Sequence, residues 1–280
     1  MLEVFVFLLG LAVGSFLNVL IDRLPRDESV VKGRSYCDGC KKPLLWYDLI
    51  PVVSFLFLGG KCRHCGSPIS FYYPMVELVT GVMFVLTFFL LFTSEESFGH
   101  LRGGTAPAAL LGGDLLELGY YLFIVSSLIV IFFADLKYGI IPDKVVFPGI
   151  FVNFLYLLLN TSYLLQNIMA ATGVFLFFFL LYIITKGRGM GFGDVKLVFL
   201  LGLFLGWPYI IIALYFSFLT GAIFGCILIL WRKKRLHGAT LPFGPFLVLG
   251  TFVSLFWGEY ILGRISEGLP STRTVLGLLW

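Results

Sequence analysis

The stretch from Gly189 to Gly206, GMGFGDVKLVFLLGLFLG, decides how this chain is read. From Val195 onward it has the apolar density of a membrane-spanning helix, yet it opens on paired glycines, Asp194 and Lys196. A charged side chain at the centre of a bilayer costs at least ~2.5–3.5 kcal/mol. A span that starts on a carboxylate therefore needs something from its surroundings, and the rest of the chain indicates what.

Of the 280 residues 59% are hydrophobic and 13% charged, and 31 are phenylalanine. The mean hydropathy is +0.98. A soluble domain carries ~25% charged residues, so the composition excludes one and indicates an all-α polytopic membrane protein. The N-terminal segment MLEVFVFLLGLAVGSFLNVLIDRLPR has an acidic residue at position 3, its basic residues behind the apolar run and no small-x-small cleavage pattern. It reads as a first helix that is kept, not a signal peptide. Apolar runs predict about eight transmembrane helices, at 2–21, 75–93, 116–134, 145–160, 167–185, 194–206, 208–230 and 242–263. Two of these fall short of the ~17 residues a straight span needs. Trp207-Pro208 divides the sixth run from the seventh.

Basic residues orient the spans. The connections at 22–74, 135–144, 186–196 and 232–240 hold 8, 2, 3 and 4 Lys or Arg, 17 of the chain's 20, leaving Arg102, Arg264 and Arg273 on the other side. The positive-inside rule then puts the 22–74 loop in the cytoplasm and both termini outside. Trp207, Trp231 and Trp257 fall near predicted span ends, as interfacial anchors do. The net charge of +4 thus reflects topology and implies no nucleic-acid partner.

Between the first two spans the composition changes. Residues 22–74 contain Cys37, Cys40, Cys62 and Cys65 in a C-x2-C-x21-C-x2-C pattern. Two intervening residues let both thiolates of a knuckle bend onto one metal, and two knuckles complete a tetrahedral, closed, structural zinc site. Two disulfides are the other reading, and a reducing cytoplasm argues against them. His64, inside the second knuckle, reads as an exposed loop residue and Cys226 as a packed core thiol. His100 and His237 have no neighbours that suggest chemistry.

Several polar residues lie at membrane depth. Ser15, Asn18 and Asp22 share one face of the first helix, suited to interhelical hydrogen bonds, and Gly10 and Gly14 allow a close neighbour. Glu77, just inside the second span, reads equally as a functional carboxylate or an edge residue. Asp135 closes the third span and Asp194 opens the sixth, so the topology sets both at the cytoplasmic edge on different helices. Two carboxylates brought together there would hold one proton between them. One would activate water while its protonated partner polarised a peptide carbonyl. Gly191 and Gly193 would clear the approach to Asp194 and permit unusual backbone angles, letting an extended substrate strand lie close. Lys196 would bias the local field or snorkel to the headgroups. Asp143, after Pro142, reads as a helix N-cap. On residue chemistry alone, an ion or solute transporter using the same carboxylates is an equal alternative.

The segments GSFLNVLIDRLP, the four-cysteine loop, YYPMVELVTG, ADLKYGIIPD, GMGFGDVKL and PFGPFL occur in an order that resembles the bacterial type IV prepilin peptidases, G-x-G-D membrane aspartic proteases. The resemblance implies that Asp135 and Asp194 are the catalytic pair and Cys37, Cys40, Cys62 and Cys65 the zinc ligands. It implies substrates, the prepilins and the pseudopilins of type II secretion, cut on the cytoplasmic face of the bacterial inner membrane. It also implies methylation of the new N-terminus from S-adenosylmethionine. The expected domains are a first helix at 1–21, a zinc-binding methyltransferase domain at 22–74 and a membrane-embedded peptidase domain at 75–280.

Overall fold

The computed structural model describes residues 1–30, 32–37, 39–92, 113–187, 190–231 and 242–268. Helices α1 (Leu2–Arg23), α3 (Tyr72–Phe92), α4 (Gly113–Tyr138), α5 (Asp143–Leu159), α6 (Leu164–Thr185), α7 (Phe192–Leu205), α8 (Tyr209–Trp231) and α9 (Gly244–Gly268) coincide with the eight apolar runs. A short helix, α2 (Val53–Phe57), lies in the loop between α1 and α3. No strand occurs among the described residues, only isolated bridges. His100, Arg102, His237, Arg273 and the 232–240 connection lie outside the described residues.

Six of the eight helices are long and apolar enough to cross a membrane; the exceptions are α5, with 17 residues, and α7, with 14. Fourteen residues rise about 21 Å, against a hydrocarbon core of about 30 Å. The deficit is tolerable because α7 faces protein: ten of its residues are buried, and Leu197, Leu200 and Leu201 are almost completely enclosed. Tyr121 of α4 and Phe175 of α6 set their rings against Phe204 and Phe199 of α7, each at 5.8 Å, and Gly149 of α5 lies against Leu200.

Lipid tails give helices no hydrophobic reason to associate, so close packing must do so. Three helix pairs show how. A Cβ on Gly10 would lie 2.7 Å from the Gly81 Cα, and one on Gly14 2.7 Å from the Glu77 Cα, so α1 and α3 touch along their backbones. On α7, a Cβ at Gly202 would lie 2.5 Å from the Ala171 Cα of α6; on α9, one at Gly250 would lie 2.1 Å from the Ala213 carbonyl of α8. The polar face of α1 meets α3 as its spacing suggests. Asn18 Nδ2 donates to the Tyr73 carbonyl at 3.1 Å, the Tyr73 hydroxyl donates to Asp22 at 2.8 Å, and Ser15 bonds the Glu77 side chain. Cys226, expected in the core, is instead exposed on the outer surface of α8, where a thiol needs no partner because lipid is as apolar as protein.

Candidate active site

Asp135 lies in the last turn of α4. Gly139, at φ +66, ends the helix in the left-handed conformation and its amide returns to the Asp135 carbonyl at 2.8 Å. Three residues, Ile140, Ile141 and Pro142, separate Gly139 from the start of α5 and form a short bridge beside the carboxylate. The end of α4 is clamped from its other side. Lys137 Nζ reaches Asp22 Oδ1 at 2.6 Å and sits over the rings of Tyr72, Tyr73 and Tyr138 at 4.6, 5.5 and 5.2 Å. This cluster ties α4 to α1 and α3.

Asp194 is the third residue of α7. Its Oδ2 accepts the Gly191 amide at 3.1 Å, and its own amide returns to the Gly191 carbonyl at 3.2 Å. A carboxylate in the first turn also suits the positive end of the helix dipole. The two aspartates are 5% and 6% exposed, and Asp194 lies within electrostatic reach of Asp135.

Two further residues join them. The first residue of α9, Gly244, presents its backbone amide to the Asp135 carboxylate. A Cβ there would fall 2.5 Å from Asp135 Oδ2, so only glycine lets α9 approach this closely. Ile141 fills the space between: its Cδ1 lies 3.3 Å from where a Cβ on Gly193 would be, and 3.3 Å from where one on Gly244 would be. Asp135, Gly244, Ile141, Gly193 and Asp194 therefore form one continuous constellation at the ends of α4, α7 and α9. Asp135 Oδ2 is buried without a hydrogen-bond partner among the described residues.

Several expectations change in detail. Neither Gly191 nor Gly193 has a positive φ; Gly191 is extended at φ −74, ψ 151, so what these glycines provide is space for Asp194 and Ile141. Lys196 pairs with Asp143 and covers the rings of Phe192 and Phe147 at 5.3 and 5.7 Å, tying α7 to α5. Asp143 is the first helical residue of α5, with Pro142 at the cap. Glu77 is buried, and its Oε2 accepts the Val52 amide at 2.8 Å. Gly244 stood in the quoted PFGPFL motif and Ile141 in ADLKYGIIPD, so a sequence signal existed, but not the contacts that give it meaning.

The four cysteines come together as two knuckles of the same build. In each, the first cysteine's amide bonds the carbonyl five residues on (Cys37 to Lys42 at 3.0 Å, Cys62 to Ser67 at 2.8 Å). The residue after the second cysteine is left-handed in both, Lys41 at φ +57 and Gly66 at φ +69. All four Sγ atoms lie within 4.8 Å of one another, and Cys37 and Cys65 are 3.8 Å apart. A tetrahedron with Zn–S near 2.3 Å has edges of about 3.8 Å, whereas a disulfide requires about 2.05 Å. The donor set and its spacing fit zinc, and all four cysteines are free thiols. Bound zinc would cross-link the knuckles and leave no open coordination position. The Ser67 hydroxyl, 3.4 Å from Cys37 Sγ and 3.1 Å from Cys65 Sγ, lowers both thiols, Cys37 to about 6 with help from the Cys40 amide, while, against the Lys42 amide, burial and the neighbouring thiols push Cys40 up to about 11. His64 is exposed and stands outside the cluster.

The chain is thus a polytopic helix bundle with a four-cysteine cluster that fits a metal ion and two buried carboxylates at neighbouring helix ends. The signature of the bacterial peptidase A24 N-terminal domain matches residues 8–91, and that of the type IV leader peptidase family matches residues 122–226. The chain is 34% identical to the prepilin leader peptidase/N-methyltransferase of Aeromonas hydrophila, over 91% of each chain. It is 32% identical to that of Bacillus subtilis, over 91% of this chain and 94% of the relative. The like-named protein of Myxococcus xanthus is 37% identical over 81% of this chain and 63% of its own length. No solved structure matches the chain significantly. The chain belongs to the type IV leader peptidase family and is an enzyme of the peptidase/N-methyltransferase type that those relatives' names describe.

Proposed function

We propose that this protein removes the leader peptide from type IV prepilins and type II secretion pseudopilins at the cytoplasmic face of the inner membrane, using Asp135 and Asp194. The observation that carries this reading is the convergence of two buried carboxylates, from α4 and α7, around a single glycine-lined constellation. The ionised carboxylate takes a proton from water as its oxygen attacks the scissile carbonyl. The protonated partner hydrogen-bonds the carbonyl oxygen as charge develops there. Collapse of the tetrahedral intermediate breaks the C–N bond, and the leaving amine takes the proton that the first carboxylate drew from water, which returns that carboxylate to its ionised form. Gly191 and Gly193 keep bulk away from Asp194. Lys196, through Asp143, holds the α7 terminus against α5 and so acts on position.

The same reading gives the 22–74 segment, braced by zinc on Cys37, Cys40, Cys62 and Cys65, the N-methylation of the new N-terminal residue, with S-adenosylmethionine as donor. Residues 75–280 form the peptidase domain. The excess of Lys and Arg in the loops at that end supports a cytoplasmic placement with both termini outside. Mass spectrometry of a prepilin peptide incubated with the purified protein and S-adenosylmethionine tests both activities. The expected product lacks its leader and carries one added methyl. An intact peptide, with zinc-loaded and folded enzyme, would refute the reading.

A further inference from the structure

The loop between α1 and α3 contains a run without a charge, LIPVVSFLFLGG from Leu49 to Gly60, set between Asp48 and Lys61. It is too short to span, and uncharged apolar runs of about 10–14 residues in membrane proteins are read as interfacial or re-entrant. The fold does not bury it. Phe57 is 88% exposed and Leu56 70%, with Trp46 and Phe71 exposed beside them.

Its depth can be read from two contacts. The Val52 amide donates to Glu77, which lies five residues into α3, or about 7.5 Å of helix rise; helical side chains lean back toward the N-terminus, which reduces this in part. The Phe55 ring meets that of Phe71, immediately before α3, at 6.0 Å. The run therefore lies beside the first turns of a membrane-crossing helix, not beyond its end.

The backbone at its tip is strained. Val52 adopts φ +61, ψ −47 and the Val53 amide closes a γ-turn onto the Pro51 carbonyl at 2.5 Å, a costly conformation for a β-branched residue. Irregular backbone at membrane depth survives only where protein satisfies its polar groups. A buried carboxylate under the turn, Glu77, does that for Val52. The loop that carries the run also exposes Lys32, Arg34, Lys41, Lys42 and, directly after it, Lys61, which suits anionic headgroups.

We propose that residues 49–58 form a wedge seated in the headgroup–acyl boundary, with Leu56 and Phe57 in lipid, so that the zinc-binding loop is docked on the bilayer surface. The occupant is lipid because the patch continues from Phe71 at the head of α3, lies beside the first turns of a membrane-crossing helix, and is followed directly by exposed Lys61.

The test uses the full chain in vesicles of phosphatidylethanolamine and phosphatidylglycerol, with a fluorescent amino acid replacing Phe57 and, separately, Lys42. Zinc content serves as the check on folding. Acyl-brominated lipids should quench the probe at 57 several-fold more than at 42, and aqueous iodide should do the reverse. Equal iodide quenching at the two sites would overturn the proposal. So would shielding at 57 from both quenchers, which would mean that a second copy or another protein covers the patch. Repeating the measurement with the probe at Leu56 guards against a local defect at 57, and the same outcomes decide it.

Discussion

Gly244→Ala is the smallest change that should disable the aspartate pair without removing a functional group. The added Cβ would fall 2.5 Å from Asp135 Oδ2, 3.2 Å from its Cγ and 3.3 Å from Ile141 Cδ1. Real Cβ contacts essentially never fall below 3.0 Å, so Asp135 or the α9 terminus must retreat by at least 3.0 − 2.5 = 0.5 Å. The carboxylate is short and buried, and Ile141 blocks the sideways escape, so the displacement passes to the reacting geometry. A misplacement approaching 1 Å costs about 10²-fold in rate, or about 2.7 kcal/mol in the barrier. Overpacking adds about 1–3 kcal/mol of lost stability. Single-turnover cleavage of a prepilin peptide, followed by mass spectrometry, should show the chemical step falling about a hundredfold while KM holds, since the contact matters in the transition state. Gly173→Ala, whose Cβ would meet nothing within 4 Å, is the matched comparison and should cleave normally. If folded Gly244→Ala protein cleaves within about threefold of the native rate, Gly244 does not position Asp135.

Asp135→Asn and Asp194→Asn should each lower cleavage by at least about 10²–10⁴-fold with zinc content unchanged; substantial residual cleavage would remove that residue from the chemistry. Cys37→Ser should lose metal, measured by elemental analysis of the purified protein, and impair methylation more than proteolysis. Acid should strip zinc as the thiolates protonate. The Ser67 hydroxyl lies 3.4 Å from Cys37 Sγ and 3.1 Å from Cys65 Sγ and favours their thiolate forms. Ser67→Ala should therefore move the midpoint of metal loss to higher pH, and an unmoved midpoint would show that the hydroxyl is irrelevant. Gly14→Val would drive a side chain into the Glu77 backbone, 2.7 Å from the added Cβ, and should destabilise the α1–α3 pair by about 1–3 kcal/mol, seen as a lower unfolding temperature.

The helices were legible because hydrocarbon permits little else: every apolar run became a helix, and even the division at Trp207-Pro208 separates α7 from α8. The metal cluster was legible because two-residue spacing is a local geometric constraint. The contacts that give Gly244 and Ile141 their roles were not, since they arise where α9 closes on α4 and nothing within either segment announces it. Lys196 was read against Asp194, two residues away, while its partner Asp143 stands fifty-three residues back on another helix. Val52 shows the same gap more sharply, for no local preference puts valine at φ +61, and the conformation is set by a carboxylate on α3.

The brevity of α7 bears on how the protein is made. A fourteen-residue segment with Asp194 in its first turn and Lys196 two residues on is a poor substrate for membrane insertion by itself, since each charge is penalised and the far leaflet stays out of reach. Its apolar faces find partners on α4, α6 and α9, and α9 is synthesised after it. During biogenesis α7 must therefore wait, carried between α6 and α8 until α9 arrives, and a chain truncated before Gly244 would leave Asp135 without a completed wall around it.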